Sequence, residues 1–276
     1  MANNRSIIKR IHRKIDCFIA KYLSNQRPFE KKERSQVRHL NFEDYQSMIY
    51  SRIDHFSFFH TLDVYKHLNP AICDLKVYQD LFVYSCITDI VKPGATILEI
   101  GGGHSRIIDA LHGKYEFWNL DKFEGQGHGP KYVSTERNYH LVQDNIGNFS
   151  DDLPENYFDL VFSISVVEHF PQDANYLRKI EDDIKRVSKK DSYFLHCIDT
   201  LLFDDHIWFH PFLNNLQKNI PHFDFPNIID IIQNDSKLWV MSKYAYYTRW
   251  FQKTKLSYRR FGSPFSINLF WKNNPS

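Results

Sequence analysis

The sequence contains no apolar run as long as the roughly 18–20 residues that a membrane-spanning helix requires. Its first residues lack the apolar core of a secretory signal. Cysteine is rare, and the four residues of this type lie far apart with no C-x-x-C pair: Cys17, Cys73, Cys86 and Cys197. A zinc site or a disulfide framework is therefore not expected, and the reducing cytoplasm fits. These absences favour a soluble cytoplasmic protein.

The excess of charge is also small, +2 over 276 residues, but it is unevenly distributed. Residues 1–40 carry eleven Lys and Arg against three Asp and Glu, so the rest of the chain is net acidic. A net acidic main part does not favour a nucleic-acid substrate, because phosphate contacts dominate such binding. No Asn-Pro-Pro-Tyr-like tetrad, which base-flipping methylases usually carry, follows the fourth predicted strand.

Within the basic segment, residues 5–24 place apolar side chains at helical spacing, and most basic residues lie off that stripe. The pattern predicts a basic amphipathic helix, and residues 25–40 form a charged linker. Such a helix either contacts an anionic membrane peripherally or packs on its own protein or a second subunit. The sequence leaves these alternatives and the oligomeric state open.

Glycine is scarce, with 10 residues in the chain, and eight of them lie between Gly94 and Gly129. Three are consecutive, Gly101–Gly103, and directly follow the largely apolar stretch Thr96–Ile100. That stretch predicts a strand buried on both faces, and the glycines allow a sharp turn or the close approach of a ligand. Residues 105–111 then predict a helix. A strand, a glycine turn and a helix N-terminus together form a site for part of a nucleotide-like ligand.

The remaining chain alternates between strand and helix patterns. Strands are predicted at 96–100, 116–120, 139–143, 157–165, 192–198 and 266–271, and helices at 78–91, 106–111 and 173–189. This alternation predicts a doubly wound α/β fold with a mostly parallel sheet. We expect a helical covering segment at 41–77 and a main domain at 78–276, with substrate-side elements from about residue 200. Residues 238–253 fit either a helix or a strand.

The covering segment is rich in aromatic residues and contains three histidines, His55, His60 and His67. No acidic residue accompanies them at metal-ligand spacing, so we assign them structural roles among part-buried side chains. The sequence therefore predicts no metal site in this segment.

Two ligand classes compete for the glycine turn. The dinucleotide motif G-x-G-x-x-G would align on Gly101, Gly103 and position 106, where Arg106 replaces the third glycine and weakens a nicotinamide interpretation. Glu99, two residues before the first glycine, offers a different motif. Asp121 ends the second predicted strand twenty residues after Gly101, the distance at which a carboxylate meets a ribose.

The segment Glu99–Ser105 resembles the E/D-x-G-x-G-x-G motif of class I S-adenosylmethionine-dependent methyltransferases, with Ser105 in place of the third glycine. Further landmarks of the family follow in order: Asp121, Asp144, and Phe158–Val161 followed by Val167–Phe170. The resemblance covers residues 78–200. It implies a Rossmann-like fold of the class I type and S-adenosylmethionine as cofactor.

The resemblance also implies roles by position. The backbone of Gly101, Gly102 and Gly103 would approach the methionine and ribose parts, Glu99 would fix the turn or reach the methionine amino group, and Asp121 would bind the ribose hydroxyls. The adenine would lie near Lys122 and Phe123, with Asp144 and Asn145 at its amino group. Ser165 would form the pocket floor.

The expected reaction is methyl transfer to a small-molecule or glycan-like acceptor, with oxygen as the expected methylated atom. His169, just after the fourth strand, is the predicted catalytic base, and ordering of its loop is the alternative role. Ser165 replaces the first carboxylate of the E-x-x-E-H arrangement that holds a metal in some members, so no metal is expected. A non-catalytic binding module is the alternative function. Several polar residues either line the acceptor side or lie on a surface loop: His196, Asp199, Asp205, His206 and His210.

Overall fold

The computed structural model describes Lys14 and residues 39–65, 68–125, 129–133, 137–216 and 225–273. Apart from Lys14, the helix predicted over residues 5–24 lies outside the described residues, and so does nearly all of the linker at 25–40. Among the residues that are described, no helix combines the length and the apolar character needed to cross a bilayer.

A seven-stranded sheet forms the centre of the described part of the chain. Its strands are β1 Thr96–Ile100, β2 Glu116–Leu120, β3 His140–Val142, β4 Phe158–Ile164, β5 Ser188–Leu202, β6 Ile207–Trp208 and β7 Ser263–Lys272. The order is β3-β2-β1-β4-β5-β6, and β7 also pairs with β5. Strands β1 to β5 are parallel, whereas β6 and β7 run antiparallel to β5. The predicted doubly wound, mostly parallel fold is confirmed.

Strand β5 is longer than the predicted 192–198 because β7 supports its second half. Residues 193–202 pair with 272–263 in an unbroken antiparallel register. Leu201 and Leu202 pair with β6 as well as with β7. Since a strand has two edges, β6 occupies the edge that β4 leaves when it ends at Ile164. The β5–β6 hairpin therefore lies beyond the carboxyl end of β4.

The helices lie on both sides of the sheet. They are α1 Phe42–Ser47, α2 Leu75–Ile90, α3 Arg106–Leu111, α4 Ala174–Val187, α5 Phe212–Leu216, α6 Phe225–Asn234, α7 Lys243–Ala245, α8 Phe251–Thr254 and α9 Tyr258–Phe261. Short 3₁₀ turns occur at Ile53–Ser57, Asp63–Tyr65, Pro70–Ile72 and Val167–His169. Residues 246–250 form a π turn between α7 and α8, so most of the ambiguous 238–253 segment is helical.

Local capping explains where the main helices begin. Asp74 accepts a hydrogen bond from the Lys76 N–H, and α2 therefore starts at Leu75 rather than at the predicted Tyr78. Ser105 caps α3 and Asp173 caps α4 in the same way, each through its side-chain oxygen. Both of those starts agree with the sequence prediction.

Two apolar cores cover the two faces of the sheet. One core contains α2, α3 and the aromatic residues of the covering segment, and in it Tyr78 stacks on Trp239 at 5.5 Å between ring centroids. The other contains the apolar face of α4 with α5 and α6. Helix α2 is buried on most sides because the segments before residue 73 and after residue 238 pack over it. The carboxyl ends of β1 to β5 remain at one edge between these layers.

Candidate functional site

The glycine turn lies between the ends of β2 and β4. Gly101 has φ +67° and donates its N–H to the Leu120 carbonyl at 2.8 Å. A Cβ at Gly101 would lie 2.6 Å from a methyl carbon of Val166, which follows β4. Gly101 is therefore required both by its left-handed backbone and by the contact with the β4 end. The residues after β4 thus lie directly against the predicted cofactor turn.

Two side chains at the end of β2 hold the turn. The buried Asn119 accepts from the Gly102 N–H at 3.2 Å and donates to the Gly103 carbonyl at 2.9 Å. Asp121 accepts from the Gly103 N–H at 2.9 Å through one oxygen and from the Phe123 N–H at 2.6 Å through the other. Each carboxylate oxygen has a second lone pair, so Asp121 retains capacity for hydroxyl donors. Sequence reasoning missed Asn119, whose only signal is a polar residue between the apolar Trp118 and Leu120.

Glu99 is buried at the end of β1, and its Oε2 atom has no hydrogen-bond partner among the described residues. Burial raises the pKa of this carboxyl to about 8, and the hydrogen bond with Ser105 opposes the rise. An unpaired buried acceptor costs about 1–3 kcal/mol. A cationic donor, such as the amino group of a bound amino-acid moiety, would remove that cost. The orphaned oxygen thus fits the predicted role of Glu99.

The predicted adenine-side residues follow β2 and β3. Phe123 has a buried ring, a φ of +57° and a contact with the His104 ring at 5.9 Å between centroids. Lys122 lies 4.0 Å from Glu124 in an exposed ion pair. Asp144 accepts from the backbone N–H of Asn145 at 2.7 Å, so that N–H already has an intramolecular partner. Because β1, β2 and β3 are parallel, these residues share one edge of the sheet with the glycine turn.

Arg106 occupies the position of the third glycine in the dinucleotide motif. Its Nε donates to Asp80 in α2 at 2.5 Å, and the Tyr65 hydroxyl donates to the same carboxylate oxygen. The arginine therefore joins α3 to α2 and to the covering segment. A charged side chain at this point is compatible with the fold because α2 supplies a buried partner.

A network of polar side chains lies at the ends of β4 and β5. Ser165 has φ +53° and lies 2.7 Å from Gln79 Oε1 and 2.5 Å from Asp199 Oδ1. Gln79 also donates its amide N–H to Asp199 Oδ1 at 2.9 Å. The single proton of the Ser165 hydroxyl can serve one acceptor at a time. Lys76 places a cation 3.7 Å from the other oxygen of Asp199.

Glu168 completes this network. Both of its carboxyl oxygens are buried, and neither has a hydrogen-bond partner in the part of the chain that is described. Burial and the neighbouring Asp199 carboxylate raise the pKa of Glu168 well above its usual range. A buried carboxyl beside a second carboxylate favours its protonated, uncharged form. Glu168 is therefore a candidate proton donor beside Asp199.

His169 is exposed, although its neighbour Glu168 points inward. The His169 N–H donates to the Val166 carbonyl at 2.9 Å within the 3₁₀ turn. Its assignment as a catalytic base stays a prediction. In the sequence, Glu168 is the remaining carboxylate of an incomplete E-x-x-E-H motif, whose first position is Ser165. No local pattern indicates that Asp199 lies beside it.

The histidines near β5 divide into internal and exposed groups. His196 is buried, its Nδ1 lies 2.7 Å from Ser163 Oγ, and burial lowers its pKa to about 4. His210 is buried and bonded to the Phe170 carbonyl at 3.0 Å. His206 and Asp205 form an exposed pair at 2.7 Å. Of the five residues left open by the sequence, Asp199 belongs to the polar network beside Glu168.

A glycine turn after β1, a carboxylate after β2 and the strand order β3-β2-β1-β4-β5 define a Rossmann-like nucleotide-binding fold. Residues 98–196 match the family model described as a methyltransferase domain. This match supports the predicted class I S-adenosylmethionine-dependent methyltransferase type for the segment, whose cofactor is S-adenosylmethionine.

Several solved structures are similar to the chain at low identity. A SAM-dependent methyltransferase from Aquifex aeolicus is 18% identical over 39% of this chain and 58% of that chain, with a TM-score of 0.29. Phosphoethanolamine N-methyltransferase 2 from Haemonchus contortus is 14% identical over 67% and 50%, with a TM-score of 0.38. The YcgJ protein of Bacillus subtilis is 13% identical over 67% and 94%, with a TM-score of 0.36.

The chain thus spans 58% or less of the first two structures. A search among curated proteins gives no match.

Proposed function

We propose that the protein transfers the methyl group of S-adenosylmethionine to an oxygen atom of a small-molecule or glycan-like acceptor. The observation that carries the proposal is the buried Glu168 carboxyl beside the part-buried Asp199, which contacts Ser165 at the ends of β4 and β5. Val166, from the same segment, contacts the glycine turn. A carboxylate that can accept a proton therefore stands next to the predicted cofactor turn.

On the cofactor side, we assign roles from the hydrogen-bonding capacity that each residue still has available. Glu99 offers its unpaired Oε2 to the amino group of the cofactor, and Asp121 offers its remaining lone pairs to the ribose hydroxyls. The backbone of Gly101, Gly102 and Gly103 permits close approach. The adenine is assigned to Lys122, Phe123, Asp144 and Asn145, and the pocket floor to Ser165.

The bound cofactor supplies a methyl group that is already activated on a sulfonium. The protein then needs to hold the acceptor in line for attack and to remove its proton. We assign proton removal to Asp199, which Ser165 and Gln79 orient, while the raised pKa of the neighbouring Glu168 keeps that residue protonated. His169, exposed in the 3₁₀ turn after β4, is the alternative base.

Isothermal calorimetry with S-adenosylhomocysteine tests the cofactor half of the proposal, and one site per chain is expected. Incubation of cell extracts with isotopically methyl-labelled cofactor, followed by mass spectrometry, tests the acceptor half. A labelled small molecule or glycan with a new O-methyl group is the expected product. Absence of S-adenosylhomocysteine binding at high micromolar concentration would overturn the proposal, and binding without transfer to any compound would favour a non-catalytic module.

We place the protein in the cytoplasm, with residues 5–24 as a peripheral membrane contact. The support is the basic amphipathic pattern of that segment. Co-sedimentation with anionic liposomes should pellet the full chain and leave a variant lacking residues 1–38 in solution. Equal pelleting of the two would remove the membrane role.

A further inference from the structure

Three side chains that the methyltransferase site does not use converge at the end of α2. The Nδ1 atom of His39 and the Nε2 atom of His60 each lie 2.6 Å from the same oxygen, Oδ1 of Asp89. The two imidazole rings are 5.4 Å apart between centroids. The three candidate ligand atoms all lie within 4.8 Å of one another. Two imidazole nitrogens thus converge on one carboxylate oxygen.

The Asp89 carboxylate is oriented by two other donors. The Tyr45 hydroxyl donates to Oδ2 at 2.6 Å, and the Leu40 N–H donates to the same oxygen at 3.1 Å. The Asp89 side chain is fully buried. One oxygen is therefore fixed by hydrogen bonds while the other faces the two histidines. This division of roles is typical of a metal-ligating carboxylate, whose outer partners hold it in place.

We propose that His39, His60 and Asp89 form a binding site for a divalent transition-metal ion, with Zn²⁺ as the favoured occupant. Two neutral imidazoles with one carboxylate are a donor set that Zn²⁺ accepts, whereas Mg²⁺ and Ca²⁺ prefer oxygen ligands throughout. The exposed fraction of the His39 side chain is 74%, so solvent reaches the remaining coordination position.

Metal entry requires two local changes. Zn–N and Zn–O bonds of about 2.0–2.2 Å place neighbouring tetrahedral ligands about 3.3 Å apart, so each nitrogen must move from the carboxylate by several tenths of an ångström. The exposed His39 has room for this movement. Each coordinating nitrogen must also lose its proton, which a neutral imidazole achieves by carrying the proton on its other ring nitrogen.

The bound ion would act as a clamp. Residues 39–40 and 60 precede the methyltransferase domain in sequence, and Asp89 lies in the last turn of α2. The metal would tie these covering segments to the helix that packs against the sheet. Sequence analysis missed the set because Asp89 is 29 residues from His60 and 50 from His39.

Titration of the tag-free chain with Zn²⁺ tests the proposal. Calorimetry should give one ion per chain, and Co²⁺ should give a visible absorption band on binding that Zn²⁺ abolishes. His39→Ala and His60→Ala should each weaken Zn²⁺ binding at least about 10-fold. Asp89→Asn is less informative, since Asp89 also holds Tyr45 and Leu40 in place.

The control variant is His206→Ala, which removes an exposed histidine that pairs with Asp205 but belongs to no cluster of three metal-ligating side chains among the described residues. Its Zn²⁺ affinity should equal that of the wild type. Absence of saturable binding, or binding that survives both His39→Ala and His60→Ala, would overturn the proposal. In that case the three residues form a hydrogen-bond network only.

Discussion

The two halves of the site differ in how far apart in sequence their partners lie. On the cofactor side, Asp121 bonds to the N–H groups of Gly103 and Phe123, which are 18 and 2 residues away. On the acceptor side, Ser165 bonds to Gln79 and Asp199, which are 86 and 34 residues away. The cofactor half is built mainly from one strand–turn–helix–strand unit. The acceptor half forms only when α2, β4 and β5 come together.

The largest effect is expected at the acceptor half. Asp199→Asn keeps the shape of the side chain and removes a group that can accept a proton, so the rate of methyl transfer should fall about 10²–10⁴-fold. Glu168→Gln should also slow transfer, because it removes the ionisable group beside Asp199. The affinity for S-adenosylhomocysteine should stay within about 2-fold of the wild type. Single-turnover kinetics with labelled cofactor and calorimetry provide the two measurements.

His169→Ala is the matched comparison for this prediction, because the residue adjoins Glu168 but is exposed. Its transfer rate should remain near the wild-type value if Asp199, rather than His169, removes the proton from the acceptor. A large loss in His169→Ala with little change in Asp199→Asn would return the base to His169.

The second-largest effect is a loss of stability at Gly101, where the glycine turn contacts Val166 from the segment after β4. Gly101→Ala should destabilise the protein by about 2–5 kcal/mol, because a left-handed residue costs about 1–2 kcal/mol and overpacking adds about 1–3. Urea denaturation measures the loss. Gly113→Ala is the control, since Gly113 has a φ of +82° but a Cβ there meets no atom within 4 Å. Equal losses in the two variants would mean that Val166 yields to the new methyl group.

The same contrast explains what the sequence allowed us to predict. Apolar periodicity located β1 to β4 to within about one residue at each end, and motif spacing located the glycine turn and Asp121. These signals are local, as hydrophobic patterns and turn residues are. The pairing of Glu168 with Asp199 depends on the register between β4 and β5, which no local pattern encodes. Most of the acceptor half could therefore not be predicted from the sequence, because it depends on contacts between residues far apart in the chain.

A smaller loss is expected at Asp121. Asp121→Ala removes a charged acceptor for the ribose hydroxyls, so the affinity for S-adenosylhomocysteine should fall by about 1.5–3 kcal/mol, or roughly 10- to 150-fold. Calorimetry measures this change. Asp151→Ala, which alters an exposed acidic residue in the turn before β4, is the control and should bind normally. Unchanged affinity in Asp121→Ala would show that the ribose lies elsewhere.

The smallest effect is a pH dependence that belongs to the cofactor half alone. Burial holds the pKa of Glu99 at about 8 in the free protein. An ammonium group beside the carboxylate would lower that pKa, so binding of the cofactor should release a proton. Affinity for S-adenosylhomocysteine should therefore rise between pH 6 and 8, by at most about 10-fold per pH unit, and level off above pH 8.

The raised pKa of Glu99 also makes the stability of the free protein depend on pH. An unfolded Glu ionises near its ordinary pKa of 4.5, whereas folded Glu99 keeps its proton up to about pH 8. Its contribution to stability is therefore present below pH 4.5 and is lost as pH rises toward 8. Glu99→Gln should remove both this loss and the rise in cofactor affinity over pH 6–8. A wild-type affinity as independent of pH as that of Glu99→Gln would show that Glu99 supports the turn without contacting the amino group.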